Sequence, residues 1–402
     1  MDKAIPLPQK NISTVRILTV VLPLWFGHFM VDSFTGIWPI YKTMANLDLV
    51  KAGLIVSIGS LIGNSLQIFF GILGDKGWSR FLICFGVLMA GSVSMISYID
   101  TSNYWLMGIV VLATYIGSSS FHPVATGTSG TVSTKNNGII VALFLSGGFV
   151  GYAFSQLLFT QIYEYTDGHT AIMYLFPVIT AFLLAKFAPI PEKKTNSLNQ
   201  IWNETKPLRK PLFLLFFTMV MSASIHASLI FLLPDLLTSM ASTTWMIMGG
   251  GHLVYVMGGC SGLAPAGILA DKFGPRQVML AGLFASGGLL ITLVMMNSGN
   301  PVFIIPNLLL LGASTSTCSV VGVAYGSKMF PNQAGTICGL LMGCVWCLAG
   351  LSISIFSWLA DPKSGGKVPD AISWMTLLVI LGLILCYFLP RAKDIHSPLI
   401  ED

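Results

Sequence analysis

The chain has 402 residues, of which 54% are hydrophobic and 9% charged, and its 21 Lys and Arg against 16 Asp and Glu leave a formal net charge of +5. A soluble domain carries about 25% charged side chains, so an ordinary soluble enzyme or nucleic-acid binder is excluded, and a mean hydropathy of +0.78 agrees. Because backbone facing lipid must satisfy its own hydrogen bonds, the expected fold is an all-α membrane bundle.

At about 20 apolar residues per crossing, the sequence predicts twelve transmembrane helices in two six-helix bundles. In chain order the first six are Ile17–Ile40, Leu49–Leu73, Phe81–Tyr98, Tyr104–Thr126, Gly138–Ile162 and Ala171–Ala188. The second six are Leu212–Leu236, Thr244–Leu269, Gln277–Met296, Val302–Gly326, Ala334–Leu359 and Ile372–Leu389. Residues 1–189 and 212–402 form the two bundles, and the polar stretch 190–211 is a cytoplasmic linker. The first apolar run is too long for the hydrophobic region of a cleavable signal peptide. All seven cysteines fall in apolar stretches and read as small buried hydrophobes.

With both termini cytoplasmic, inner segments hold 17 of the 21 Lys and Arg residues and outer segments hold Lys42, Lys51, Lys363 and Lys367. The basic surplus is thus a topology signal, consistent with a cell-membrane protein and needing no nucleic-acid partner. An internal repeat supports the two halves: Gly71-Ile72-Leu73-Gly74-Asp75-Lys76 recurs as Gly267-Ile268-Leu269-Ala270-Asp271-Lys272. Two such units suit a transporter that rocks about a central site.

On this repeat the chain resembles the major facilitator superfamily. The signature Gly-x-x-x-Asp-Arg/Lys-x-Gly-x-Arg is matched by Gly267, Asp271, Lys272, Gly274 and Arg276; the first copy has Gly71, Asp75, Lys76 and Arg80 but places Gly77 before Trp78. The resemblance assigns these residues to gating. Gly27-His28-Phe29-Met30-Val31-Asp32 and Gly117-Ser118-Ser119-Ser120-Phe121-His122-Pro123 are similar to the fosmidomycin-resistance group of bacterial efflux proteins. That group is expected to carry an acid after the His-Pro pair, where this chain has Val124. The helix-five antiporter pattern keeps Gly138, Gly147 and Gly151 but has Tyr152 in place of its proline.

Asp32 is the one acid predicted well inside a span, and Asp235 falls near the outer end of the seventh helix. A charge at mid-bilayer costs about 2.5–3.5 kcal/mol on insertion scales. His28 lies four residues earlier on the same helical face and Trp25 shares that side. His28 and Asp32 therefore read as a proton-coupling pair. Candidate substrate contacts are His122, Asn64, Gln67, Gln156, His226, His252, Tyr255 and Trp25. His122, beside the helix-loosening Pro123, is expected in the cytoplasmic third, deeper than His28.

No phosphate-binding Gly-Lys-Ser/Thr loop, metal-ligand spacing or nucleophile triad is apparent, so no cofactor and no enzyme activity are expected. The leading expectation is a monomeric, proton-coupled secondary transporter exporting a small polar or anionic drug or metabolite. Its partners would be that substrate, protons and the lipid bilayer. The alternatives are a symporter importing a metabolite or siderophore-like acid, and a non-transporting receptor or assembly factor.

Overall fold

The computed structural model describes residues 14–130, 137–187, 208–296, 298–330, 337 and 339–391. Lys3, Lys10, Lys135, Lys193, Lys194, Lys206, Lys393, Cys338 and most of the linker lie outside them. The described residues form helices joined by short turns, with no strand among them. The first half comprises α1 (Thr14–Thr35), α2 (Trp38–Met44), α3 (Leu49–Leu73), α4 (Ser79–Ala90), α5 (Tyr104–Gly130), α6 (Asn137–Tyr165) and α7 (Leu175–Phe187). The second comprises α8 (Arg209–Ser239), α9 (Gly251–Phe273), α10 (Pro275–Met295), α11 (Pro301–Met329), α12 (Val345–Ala360), α13 (Val368–Trp374) and α14 (Thr376–Tyr387).

These elements make twelve crossings. Ten described stretches are long and apolar enough to span a membrane, and one of them, Leu49–Tyr98, is 50 residues long. That is twice the length a bilayer needs, and it folds back at Gly77, where φ is 99°. With α1 and α2 as the remaining crossing, the molecule is an all-α membrane protein of two six-helix bundles.

The first crossing departs from the continuous helix expected over Ile17–Ile40. It stops at Thr35, turns at Gly36 and resumes at Trp38, where Pro39 is tolerated in the first turn. The third crossing is α-helical to Ala90 and then tightens to a 3-10 helix over Gly91–Tyr98. Asp48 caps α3 by accepting from the Lys51 N–H at 3.1 Å, and Asn300 caps α11 through the Val302 N–H at 3.0 Å. Cys318, Cys347 and Cys386 are buried as expected, whereas Cys84, Cys260 and Cys344 are half-buried.

Contacts between the halves gather at one end. There Lys42 pairs with Asp235, and Lys363 pairs with Asp48 at 2.6 Å. On the α3–α12 seam, Ser57 Oγ donates to the Gly350 carbonyl at 2.8 Å and Ser60 Oγ to that of Trp346 at 3.1 Å. On the α6–α9 seam, Thr160 Oγ1 donates to the Met248 carbonyl at 3.0 Å. Toward the opposite end, Gly127, Gly267 and Gly339 have open space where a side chain would point. The halves are joined by charge pairs at the Lys42 end, and the α3–α12 seam runs on to Ser65 and Cys347, 3.2 Å apart.

Candidate functional site

The centre of the first half is built on α1, α5 and α6. Asp32 Oδ2 lies 3.3 Å from His28 Nε2, and its Oδ1 lies 3.1 Å from His122 Nε2. The two imidazoles are 5.0 Å apart, centroid to centroid. Contrary to the expectation of a deeper His122, both histidines meet one carboxylate at one level. Pro123 is accommodated inside α5, and the Ser118 carbonyl one turn before His122 fixes its ring.

The outer nitrogens determine what the inner ones can do. His28 Nδ1 is 3.0 Å from the Phe144 carbonyl, and His122 Nδ1 is 2.8 Å from the Ser118 carbonyl and 3.1 Å from the Ser118 hydroxyl. A carbonyl oxygen only accepts, so both Nδ1 atoms carry hydrogen. In a neutral ring the other nitrogen is then a bare lone pair. Two bare lone pairs facing a carboxylate would repel it. Each His–Asp contact therefore needs a positive group between its partners, either a proton on each imidazole or a cation shared by all three.

The same three ligand atoms lie within 4.8 Å of one another, a grouping able to hold a cation that the linear spacing had not revealed. At 3.1–3.3 Å the two His–Asp separations are ion-pair distances, longer than the ~2.7–2.9 Å of a charge-assisted hydrogen bond.

Glycine makes the site possible. A Cβ on Gly148 of α6 would stand 2.5 Å from Asp32 Oδ2 and collide with His28 Nε2. Phe144 stacks on His28 at 4.4 Å, closing that side. The Asp32 and His122 side chains remain 20% and 26% exposed, against 5% for His28, so the cluster is reached through those two groups. Val124, standing where an acid was expected, is buried against Gly74 and belongs to the packing beside α5.

Trp25 does not join the cluster; its Nε1 donates to Ser146 Oγ at 3.0 Å and its ring stacks on Phe29. Asn64 and Gln67 form a ladder along α3. Gln67 Nε2 donates to Asn64 Oδ1 at 3.0 Å, and Asn64 Nδ2 donates to Ser60 Oγ at 2.9 Å. In the second half His226 Nδ1 lies 3.0 Å from the Tyr255 hydroxyl, and Trp346 meets the His226 ring edge-on at 5.6 Å. His252 is buried in the α6–α9 seam, where its Nε2 donates to the Tyr152 carbonyl at 2.7 Å. Gln156 is fully buried in the same seam with neither amide atom partnered. Sequence reading missed Trp346 and noted Tyr152 only as the residue in place of a motif proline; neither gave a sign of its place between the halves.

Of the gating candidates, Asp271 pairs with Lys328 at 2.9 Å. Lys272 lies over Phe273 and Arg276 over Tyr387. Asp75 and Lys76 occupy the turn before α4, and Arg80 stands in that helix's first turn. Gly77 and Gly274 both have positive φ, 99° and 96°, so each copy turns on its own glycine despite the swapped order. Gly71 meets nothing closer than Pro123 at 3.7 Å, so close approach falls to Gly74.

Two bundles of six helices around a buried polar centre define a transporter fold. The chain belongs to the major facilitator superfamily, whose family model matches residues 17–354. It is 22% identical over 423 positions to "Uncharacterized MFS-type transporter YfnC" of Bacillus subtilis (strain 168), covering 99% of this chain and 100% of that protein. Among solved structures it resembles a bacterial homolog of the human lysosomal transporter Spinster in its inward-facing, occupied conformation. That match has a TM-score of 0.78 and 12% identity, and covers 97% of this chain and 100% of the other. A point mutant of the nucleoside transporter NupG matches with a TM-score of 0.74 and 12% identity, over 93% of this chain and 98% of the other. The protein is a membrane transporter, not an enzyme.

Proposed function

We propose that this protein is a proton-coupled secondary transporter that exports a small organic compound by alternating access, with Asp32, His28 and His122 as its proton site. The observation carrying this reading is that both Nδ1 atoms are committed to backbone carbonyls, so the contacts at Asp32 need positive groups, which in this reading are protons. Losing the proton between His122 and Asp32 would set a bare imidazole nitrogen against the carboxylate and push α1 and α5 apart. That turns protonation into a force between helices. Tyr115 on α5 and Tyr152 on α6 are the other ionisable groups nearby on the surrounding helices.

The two bundles, residues 1–189 and 212–402, would rock as units about the linker, shut at the Lys42 end in the present state. The basic-residue count supports cytoplasmic termini in a cell membrane, which makes the end bearing the repeated motif cytoplasmic. The helix-one and helix-four motifs support outward transport. The substrate would enter between the halves, touching His122, Asn64 and Gln67 on one side and His226 on the other. Asp271, Lys272, Arg276 and their first-half counterparts would close the cytoplasmic mouth in the alternate state. Proton entry supplies about 2.3 kcal/mol per charge per 100 mV of membrane potential, besides the pH gradient.

The test uses inverted membrane vesicles from cells producing the full chain, screened with small organic compounds with and without a protonophore. Wild type is expected to accumulate its substrate only with the gradient. Asp32→Asn should insert normally and accumulate none. Undiminished gradient-driven accumulation by that variant would overturn the proton role.

A further inference from the structure

A second polar cluster, in the other half, has its hydrogen-bond directions fixed from the inside out. Thr315 Oγ1 donates back along α11 to the Leu311 carbonyl at 2.9 Å, the usual bond of a helical threonine. Its only proton spent, that oxygen accepts from the Tyr255 hydroxyl at 2.8 Å. Tyr255 has likewise only one proton to give, so at 3.0 Å its oxygen accepts from His226 Nδ1. His226 is thereby held as the Nδ1–H form, and its Nε2 is an acceptor. Tyr255 and Thr315 are buried while His226 is half-buried, so Nδ1 points into the bundle and Nε2, across the ring, points away from it.

The surroundings add shape. Trp346 stands edge-on to the His226 ring at an interplanar angle of 78°. Its backbone carbonyl is tied to Ser60 of the opposite half, at the foot of the Ser60–Asn64–Gln67 ladder. The residue thus sits where the halves face each other. The groups bonded to or packed on His226, namely Tyr255, Thr315 beyond it and Trp346, are uncharged, and His252 is the titratable group that faces it from α9.

We infer that His226 and Trp346 form a ligand subsite that takes a planar, uncharged compound offering an N–H or O–H, and disfavours carboxylates and phosphonates. This rests on the transporter reading and deepens it, replacing the anionic substrate suggested by the histidine content alone. A carboxylate has no proton for the bare Nε2 and would face it lone pair to lone pair. An N–H donor completes the relay from ligand to His226, Tyr255, Thr315 and the Leu311 carbonyl, while its flat face lies against Trp346. A bound ligand that covers Nε2 without giving it a hydrogen leaves that acceptor unpaired, so the preference is built into the site.

Two measurements on the full chain in detergent test this. Nitrogen-15 NMR of histidine-labelled protein, with His226 assigned by its loss in His226→Gln, should show hydrogen on Nδ1 and a bare Nε2 near neutral pH. Tyr255→Phe, which removes the acceptor, should release that preference. Hydrogen on Nε2, or a doubly protonated ring, in wild type would overturn the relay. Thermal-shift titrations with benzimidazole, 1-methylbenzimidazole and benzoate then read the ligand class. Benzimidazole should stabilise at a concentration about tenfold below its methylated analogue, the order of a lost hydrogen bond to a buried partner, and benzoate should not stabilise. The tenfold gap should persist in His226→Gln, which keeps an acceptor, and vanish in His226→Leu. Equal responses to the first two probes, a response to benzoate alone, or none to benzimidazole would overturn the assignment. Because Asp32→Asn leaves this cluster untouched, the matched-pair result in that variant separates failure here from failure of proton coupling.

Discussion

Lys42 of α2 is joined to Asp235 of α8 across the two halves, with the Lys42 ammonium also lying 4.7 Å from the centre of the Phe231 ring. Thr43 Oγ1 donates to the second Asp235 oxygen at 2.9 Å. Lys42 is only 1% exposed, and a buried charge deprived of its partner costs about 3–5 kcal/mol. Asp235→Asn is therefore expected to open this end. Thiol-reagent labelling of a Gln156→Cys reporter, buried in the adjoining seam, should be faster in the variant. The same labelling rate in both backgrounds would show that the pair does not hold the end shut.

Gly249 reaches φ +113° in the turn before α9, and a Cβ there would stand 2.7 Å from the Leu157 backbone nitrogen of the other half. Gly249→Ala thus combines backbone strain of about 1–3 kcal/mol with a clash across the α6–α9 seam. It should shift the molecule away from the present state without blocking insertion. The same cysteine reporter checks this.

At the Asp32–His28–His122 cluster, Gly148→Ala places a methyl group against His28 and Asp32. Overpacking of this sort costs about 1–3 kcal/mol. The expected outcome is loss of gradient-driven accumulation in vesicles, with surface expression near wild type. Retained accumulation would mean that the three side chains need not touch.

Asp48 and Lys363 give a pH dependence outside the membrane-spanning segments. The Lys363 hydrogen bond holds the Asp48 carboxyl below its ordinary range, and the same bond holds the Lys363 ammonium above its own. A depressed carboxyl stabilises the fold above its unfolded value, about 3.9, and loses that contribution as pH falls through the folded value. A raised lysine contributes below about 10.4 and loses it as pH rises through the folded value. Asp48→Asn keeps the cap on α3 while removing the charge. Its melting temperature should sit slightly below wild type across the neutral range, and the difference should close below about pH 4. The surface position makes the effect small.

Gly267 has no atom within 4 Å of where a Cβ would stand, whereas Gly274 has φ +96°. Gly274→Ala should therefore lower thermal stability by about 1 kcal/mol or more. Gly267→Ala should leave stability unchanged yet slow transport if this end closes tightly in the alternate state. Thermal denaturation and initial transport rates separate the two.

The helices were legible because a bilayer imposes a minimum apolar length, and Asp32 was legible because an acid inside such a run is costly. The His28–Asp32 contact followed from the rise of a single helix. The His122 contact did not, since the relative height of two helices depends on tilt and packing that no linear spacing encodes. Lys42 counted only as one of four outer basic residues. Its burial depends on Asp235 arriving from the seventh crossing, and the only hint was a charge near the end of each span. Gln156, polar within a helix, read naturally as a substrate contact, yet in this state it is sealed in a seam.

Only the break at Gly36 separates Asp32, in the last turn of α1, from the short rod α2 that bears Lys42. Asp32 itself anchors the bend, its carbonyl accepting from the Gly36 N–H at 3.2 Å. Under the proposed mechanism Asp32 and the distant Lys42 clasp are joined by one short lever on a single pivot, not by a chain of side chains. Gly36→Pro would remove that anchoring N–H and press a ring against Ser155 of α6, so it would break the pivot itself without altering the Lys42–Asp235 pair.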